Sequence, residues 1–184
     1  MQLVILDRDG VINEDSAHFI KSPDEWQPLP GSLEAIAQLT NAGWRVVVFT
    51  NQSGIARKLF DIETLNAIHD KMYNMVSEYG GVIEAVFFCP HGPKDQCACR
   101  KPEPGMLEEI AQRLHVRLDS VPVIGDSLRD LQAARAVGAQ PVLVRTGKGG
   151  QTLADNVGLE GVPVFCDLRQ AASALLAGSL QDDT

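Results

Sequence analysis

The amino-acid sequence predicts an α/β fold built on a doubly wound, mostly parallel sheet. Three observations carry that prediction. Six short apolar runs recur along the chain, β-branched and continuous rather than alternating, as strands buried on both faces of a parallel sheet are. Amphipathic stretches with helical spacing lie between most of them, the alternation that builds helices over both sheet faces. Finally, polar residues with chemistry to offer follow directly after four of the runs, where an open parallel sheet forms its ligand crevice.

The first strand is placed at 3–6 (Leu-Val-Ile-Leu) and ends in Asp7-Arg8-Asp9-Gly10-Val11. A helix over 32–41 follows, with Leu33, Ile36 and Ala37 on one face and Gly43 as its stop. The second strand, 45–49, runs into Thr50-Asn51-Gln52-Ser53-Gly54. A long helix over 61–79 carries Ile62, Leu65, Ile68, Met72 and Val76 at three- and four-residue spacing. The third strand, 85–88, leads into a cysteine-rich loop, and a helix over 104–114 opens with Pro104 in its first turn. The fourth strand, 121–124, ends in Gly125-Asp126-Ser127, and a helix over 128–137 stops at Gly138. Strands at 141–144 and, more weakly, 162–165 precede a last helix over 168–176, and the polar tail 181–184 reads as frayed.

A chain of 184 residues fits one domain, expected to span residues 1–184 with an elaborated loop at about 89–101. With 45% hydrophobic and 22% charged residues, it has the composition of a globular protein and not of a disordered one. No apolar run approaches the roughly 20 residues of a membrane span. A net charge of −8 opposes a nucleic-acid or anionic-membrane surface. It leaves room for a phosphate ligand, which needs only a local cluster of donors. Acidic residues arrive by Asp7, too early for a signal peptide, so a cytoplasmic monomer is expected.

Asp7 and Asp9 follow the first strand two residues apart, a spacing that lets both face one side. Two such carboxylates repel unless one is protonated or a cation sits between them. Asp126, from another strand end, can complete an oxygen-rich Mg²⁺ site. Each of the three also has a turn-capping reading when taken alone. Ser127 to Asp130 is a capping box, so Asp130 reads first as a helix cap and second as a neighbour of the metal shell. The Thr50 to Gly54 loop offers hydroxyls, amides and backbone N–H groups suited to an anion.

Cys89-Pro90-His91 followed by Cys97-Ala98-Cys99 is the strongest local signal. Three thiolates and one imidazole form a Cys₃His set for tetrahedral zinc with no open position, hence a structural one. The loop between these ligands holds almost nothing to bury and needs a staple. Arg100 and Lys101 follow the last ligand, so zinc would fix the segment that aims both cations at the crevice. Cys166 is expected to be a small buried hydrophobe. His69 and His115 are expected on the surface, and His18 in the first loop, near the crevice.

Assembled in this order, the residues resemble the haloacid dehalogenase superfamily of phosphotransferases. The first motif of that family, Asp-x-Asp-x-Thr/Val, is matched by Asp7 to Val11. Its second, a Thr or Ser after the second strand, is matched by Thr50. Its third, a Lys, is matched by Lys101, and its fourth, Gly-Asp-x-x-x-Asp, by Gly125-Asp126 through Asp130. The resemblance spans about residues 1–150 and is nearer still to a zinc-loop subgroup. Lys58 departs from it, standing where a Gly is expected after Arg57.

The resemblance implies a Rossmann-like sheet with no large cap domain and a Mg²⁺-dependent phosphomonoester hydrolase. Asp7 would form an aspartyl-phosphate, and Asp9 would act as acid and then base. Mg²⁺ would be held by Asp7, the Asp9 carbonyl and Asp126. Thr50, Arg100 and Lys101 would complete the catalytic set, with substrate also bound by Asp15, Ser16, Ala17, His18, Asn51, Gln52 and Ser53. The implied substrate is a small sugar phosphate: a heptose 1,7-bisphosphate losing its 7-phosphate, on the route to lipopolysaccharide core. Histidinol phosphate or another small ester is the alternative. A zinc-stapled binding module with an inert crevice is the rival of a different class, and it has no need of both Asp7 and Asp9.

Overall fold

The computed structural model describes residues 2–180; the tail at 181–184 lies outside them. Six strands form one parallel sheet in the order β3-β2-β1-β4-β5-β6. They are β1 (Gln2–Leu6), β2 (Trp44–Asn51), β3 (Ala85–Cys89), β4 (Pro122–Gly125), β5 (Gln140–Val144) and β6 (Val164–Phe165). The helices are α1 (Ser32–Asn41), α2 (Ile62–Glu78), α3 (Gly105–Leu114), α4 (Leu128–Ala136), α5 (Gly149–Asp155) and α6 (Leu168–Leu176). Between β1 and α1 the described chain holds one short 3₁₀ turn, Pro23–Glu25, and no inserted cap.

The central strands are apolar on both faces because both faces are covered. Val4 and Leu6 of β1 and Val46 and Val48 of β2 pack with α1, α2 and α6 through Leu33, Ile36, Ile68, Met72 and Ala171. Leu3, Ile5, Val47 and Phe49 point the other way, against Met106, Leu107 and Ile110 of α3 and Ala133 of α4. Side chains alternate across a strand, so one strand feeds two cores. Each Val, Leu or Ile so buried contributes about 1.5–3 kcal/mol.

β1 pairs with β2 on one side and β4 on the other, Leu6 facing both Val48 and Ile124. The strand order reverses here, and the crevice opens beyond these carboxyl ends. β2 runs further than its apolar core suggests, so Thr50 and Asn51 are strand residues paired with Phe88 and Cys89. Asp61 and Asp167 cap α2 and α6, each accepting from the backbone N–H three residues on, at 2.8 Å. Among the described residues no helix is long and apolar enough to cross a membrane.

Two sequence expectations fail. Cys166 is exposed, because β6 ends at Phe165 and the chain turns outward into the Asp167 cap. His69 is buried on α2 beside Phe88, whereas His115 is exposed as expected. The sequence reading also missed α5, whose Gly149-Gly150 start and polar residues carry no helical stripe.

Candidate active site

Asp7, Asp126 and Asp130 converge where β1 and β4 end, with one oxygen of each within 4.8 Å of the others. Asp7 Oδ1 accepts from the Arg8 N–H at 2.7 Å and lies 2.9 Å from Lys101 Nζ. Lys101 Nζ also lies 2.6 Å from Asp130 Oδ1. Asp130 Oδ2 meanwhile accepts from Ser127 N at 3.0 Å and Ser127 Oγ at 2.6 Å. Asp130 therefore caps α4 and holds Lys101 with the same carboxylate, beyond the mainly structural role read from the sequence.

The Asp126 cradle comes from a segment that carries no motif. Lys148 N donates to Asp126 Oδ2 at 2.8 Å, and Thr152 Oγ1 donates to the Asp126 carbonyl at 2.9 Å. A Cβ at either Gly10 or Gly147 would overlap Asp126 Oδ2, and both glycines have positive φ, +83° and +57°.

Three buried carboxylates face one ammonium, a surplus of two negative charges. Burial raises the Asp7 pKa well above the carboxylate range; Lys101 opposes this, while Asp130 and Asp126 add to it. Burial and then the Asp130 charge push Asp126 up to about 7. A hard divalent cation with oxygen preference cancels this surplus, so the donor set fits Mg²⁺.

Asp9 is held differently. Arg8 Nη2 lies 3.0 Å from both its oxygens and Arg8 Nε 3.2 Å from Oδ1. Asn13 Nδ2 donates to Oδ1 and Gln52 Nε2 to Oδ2, each at 2.9 Å. Burial alone would raise the Asp9 pKa, but Arg8, Asn13 and Gln52 outweigh it and lower it. Arg8 is fully buried, and its Nη1 reaches His69 Nε2 at 3.2 Å. Since Arg only donates, Nε2 accepts and the ring is neutral. Burial and then the Arg8 charge lower the His69 pKa to about 3.

Lys101 is seated from β2. Its Nζ donates to the Phe49 carbonyl at 3.3 Å and lies 4.0 Å from the Phe49 ring centroid. Asn51 accepts from Lys101 N and donates to its carbonyl, both at 3.2 Å. Burial would strip the Lys101 proton, but Asp130 and then Asp7 hold it and raise the pKa. Thr50 Oγ1 accepts from Gln52 Nε2 at 2.8 Å.

The zinc-type ligands gather at the other end of the same loop. Cys89 Sγ lies 3.6 Å from Cys97 Sγ, 3.2 Å from Cys99 Sγ and 3.5 Å from His91 Nδ1. His91 Nδ1 lies 3.3 Å from Cys99 Sγ. A tetrahedral zinc with ordinary bond lengths has edges of about 3.8 Å between sulfurs and about 3.5 Å between sulfur and nitrogen. The donor chemistry fits zinc, and so do the Cys89–Cys97 and the two sulfur–nitrogen edges; the Cys89–Cys99 edge is about 0.6 Å shorter than a zinc-bound pair.

Asp7, Asp9, Thr50, Lys101 and Asp126 all line one cavity of about 310 Å³. Asp15, Ser16, Asn51, Gln52, Ser53 and Arg100 line it too. Ala17 and His18 do not: both are exposed, and Phe19 and Ile20 form that wall instead. Asp15 is engaged by Lys148 Nζ at 2.7 Å. The sequence reading missed Arg8, Asn13, Phe19, Arg57, Arg129 and Lys148. Arg8 and Arg129 lie within the motifs that carried the resemblance and were readable there; Lys148 carried no signal.

The chain matches the HAD-hydrolase-like family over residues 98–171 and the polynucleotide kinase 3 phosphatase family over residues 2–130. It is 61% identical to a D-glycero-beta-D-manno-heptose-1,7-bisphosphate 7-phosphatase of Bordetella bronchiseptica, over 96% of this chain and 98% of that one. A protein of the same name from Pseudomonas aeruginosa is 55% identical, over 95% and 97%. The crystal structure of D,D-heptose 1,7-bisphosphate phosphatase from B. bronchiseptica, complexed with magnesium and phosphate, superposes with a TM-score of 0.95. It is 60% identical, over 97% of this chain and 100% of that one.

Proposed function

The chain belongs to the haloacid dehalogenase-like hydrolases, and from that membership we propose that it removes the 7-phosphate of D-glycero-D-manno-heptose 1,7-bisphosphate. The product is the heptose 1-phosphate, on the route to lipopolysaccharide core. The observation that carries this reading is the near full-length identity to the heptose bisphosphate phosphatases described above. Asp7, beside Asp126, Asp130 and Lys101, and Asp9, among Arg8, Asn13 and Gln52, supply the nucleophile and a separate proton-transfer group.

Mg²⁺, held by Asp7, Asp126 and the Asp9 carbonyl, supplies charge neutralisation that lets an anionic nucleophile meet an anionic ester. Asp7 Oδ1 accepts from Arg8 N and lies beside Lys101 Nζ; with the cation on one oxygen of Asp7, the other attacks phosphorus. The P–O bond to the sugar breaks as the P–O bond to Asp7 forms, and the leaving oxygen takes the Asp9 proton. Water then attacks the phosphorus of the aspartyl-phosphate, gives its proton to Asp9 and frees Asp7. Lys101 and Thr50 hold the transferring oxygens, and Arg100 grips the substrate nearby. Asp9 as found is the carboxylate that serves the second half; the acid half requires the grip of Arg8 to loosen. Cys89, His91, Cys97 and Cys99 would hold a structural zinc, which would fix the loop that carries Arg100 and Lys101.

In this reading residues 1–184 form one domain with a zinc loop at about 89–101, acting as a cytoplasmic monomer on a small molecule. The net charge of −8 supports a small ester over a polynucleotide or a membrane surface. The test is a panel of phosphate esters with Mg²⁺. The heptose 1,7-bisphosphate should give the highest kcat/KM, with phosphate released from carbon 7. A higher value for histidinol phosphate would overturn the substrate assignment.

A further inference from the structure

Arg57, Arg100 and Arg129 all line the cavity above the carboxylates. Arg100 and Arg129 also line a second cavity of about 590 Å³ beside the zinc loop, so they stand between the two. Among the described residues none of the three has a carboxylate within ion-pair distance, whereas Lys148, on the same cavity, is held by Asp15. Arg100 Nη1 donates only to the His91 carbonyl, at 3.2 Å. Arg57 lies 5.5 Å from the centroid of the Phe19 ring, which fixes it by its π face and leaves its charge uncancelled.

In a chain of net charge −8, three unpaired guanidiniums facing one space repel one another, and an incoming anion relieves that repulsion. The reacting phosphate already has Lys101 and Thr50. The rim therefore carries more positive charge than one phosphate uses, and guanidinium forks suit a second one.

We propose that Arg57 and Arg129, with Arg100, form a second anion subsite that binds the phosphate or other anionic group remote from the reacting one. The subsite makes the enzyme selective for doubly anionic esters and turns away esters that carry an ammonium group, histidinol phosphate among them. This deepens the bisphosphate reading and rests on it.

The experiment compares heptose 1,7-bisphosphate with heptose 7-phosphate, which lacks only the remote anion, and with histidinol phosphate. The variants are Arg57→Gln, Arg129→Gln, the double variant and Arg129→Glu. Arg117→Gln serves as a control for lost surface charge, since Arg117 is exposed and paired with Asp119. Each neutral substitution should lower the ratio of kcat/KM for the bisphosphate to that for the 7-phosphate about tenfold or more, mostly through KM. Arg129→Glu should also raise the standing of histidinol phosphate relative to the bisphosphate, and the control should leave all ratios in place. An unchanged ratio in the double variant, or a parallel fall on both heptose esters, overturns the subsite. If the wild-type enzyme prefers a different doubly anionic ester and Arg129→Gln abolishes that preference, the substrate reading fails and the subsite stands. If the wild-type enzyme favours singly anionic esters, the subsite fails.

Discussion

The carboxylate–lysine centre and the zinc loop are joined by a single stretch of chain, Cys99-Arg100-Lys101, yet they are held by opposite means. At the centre, Lys101 is almost fully buried and its ammonium is fixed by Asp7, Asp130 and the Phe49 carbonyl. Asp130 in turn is fixed by Ser127, and Asp126 by Lys148 and Thr152. The partners come from β1, β2, α4 and the start of α5. In the loop, Pro93 to Gln96 are exposed and the local contacts are few, such as Asp95 Oδ2 accepting from Gly92 N at 2.7 Å. What converges there is four ligand atoms. The centre takes its order from the fold, and the loop gathers four ligand atoms that a zinc ion could tie together. The comparison teaches that a buried cation can be built at the end of a loop without a core, provided each end of the segment is pinned by a different force.

Asp7→Asn breaks the centre most sharply. Phosphate release should fall by about 10³-fold or more, because the amide keeps the shape and loses the nucleophile. Far-UV circular dichroism should stay native. Turnover near wild type would falsify the covalent step.

Separating the two regions is the next largest effect. Cys99→Ser should lose zinc, lower kcat and raise KM together, and leave the α/β core folded. Lys101→Ala should lose activity while zinc stays at about one per chain. Elemental analysis and kinetics on both variants check this. Zinc-free Cys99→Ser protein at full activity would show that the loop needs no staple.

A smaller effect lies behind the centre. The His69 pKa is depressed to about 3, so the folded state binds fewer protons than the unfolded one, whose His titrates near 6.5. His69 therefore contributes stability that is present above about pH 6.5 and is lost as pH falls toward 3. The slope reaches about 1.4 kcal/mol per pH unit between those values. Denaturant titrations of His69→Gln should lack this component of the acid limb; an unchanged limb would show that His69 binds protons equally in the folded and unfolded states.

The smallest expected change is on the substrate-side turn. Lys58 has φ +58°, a left-handed conformation that costs a side chain about 1–2 kcal/mol, part of which a glycine returns as lost chain entropy. Lys58→Gly should raise stability by about 0.5–1 kcal/mol in the same titrations, with kcat little altered. The glycine expected here from the family pattern thus has a backbone reason.

Local patterns in the sequence mark the buried strands as apolar runs, the helices as amphipathic stripes, the zinc-type ligands as clustered Cys and His, and Asp7, Asp9 and Asp126 as carboxylates just past strand ends, with Thr50 and Lys101 as polar residues near them. Those signals are short-range, because burial and chain direction leave their mark on neighbouring residues. Only the tertiary structure decided which partners those residues meet. His69 reads as a polar residue on an amphipathic helix, and it is buried because Arg8, far away in the chain, needs an acceptor inside. Cys166 reads as core, and it is exposed because its strand ends one residue earlier. Gly147, Lys148 and Thr152 carry no pattern, and they cradle Asp126 because β5 lies next to β4. Arg57 and Arg129 look like ordinary surface charge until the fold sets them on one rim without counterions. Pairing between distant residues depends on where the backbone brings them, and composition or spacing along the chain does not record that.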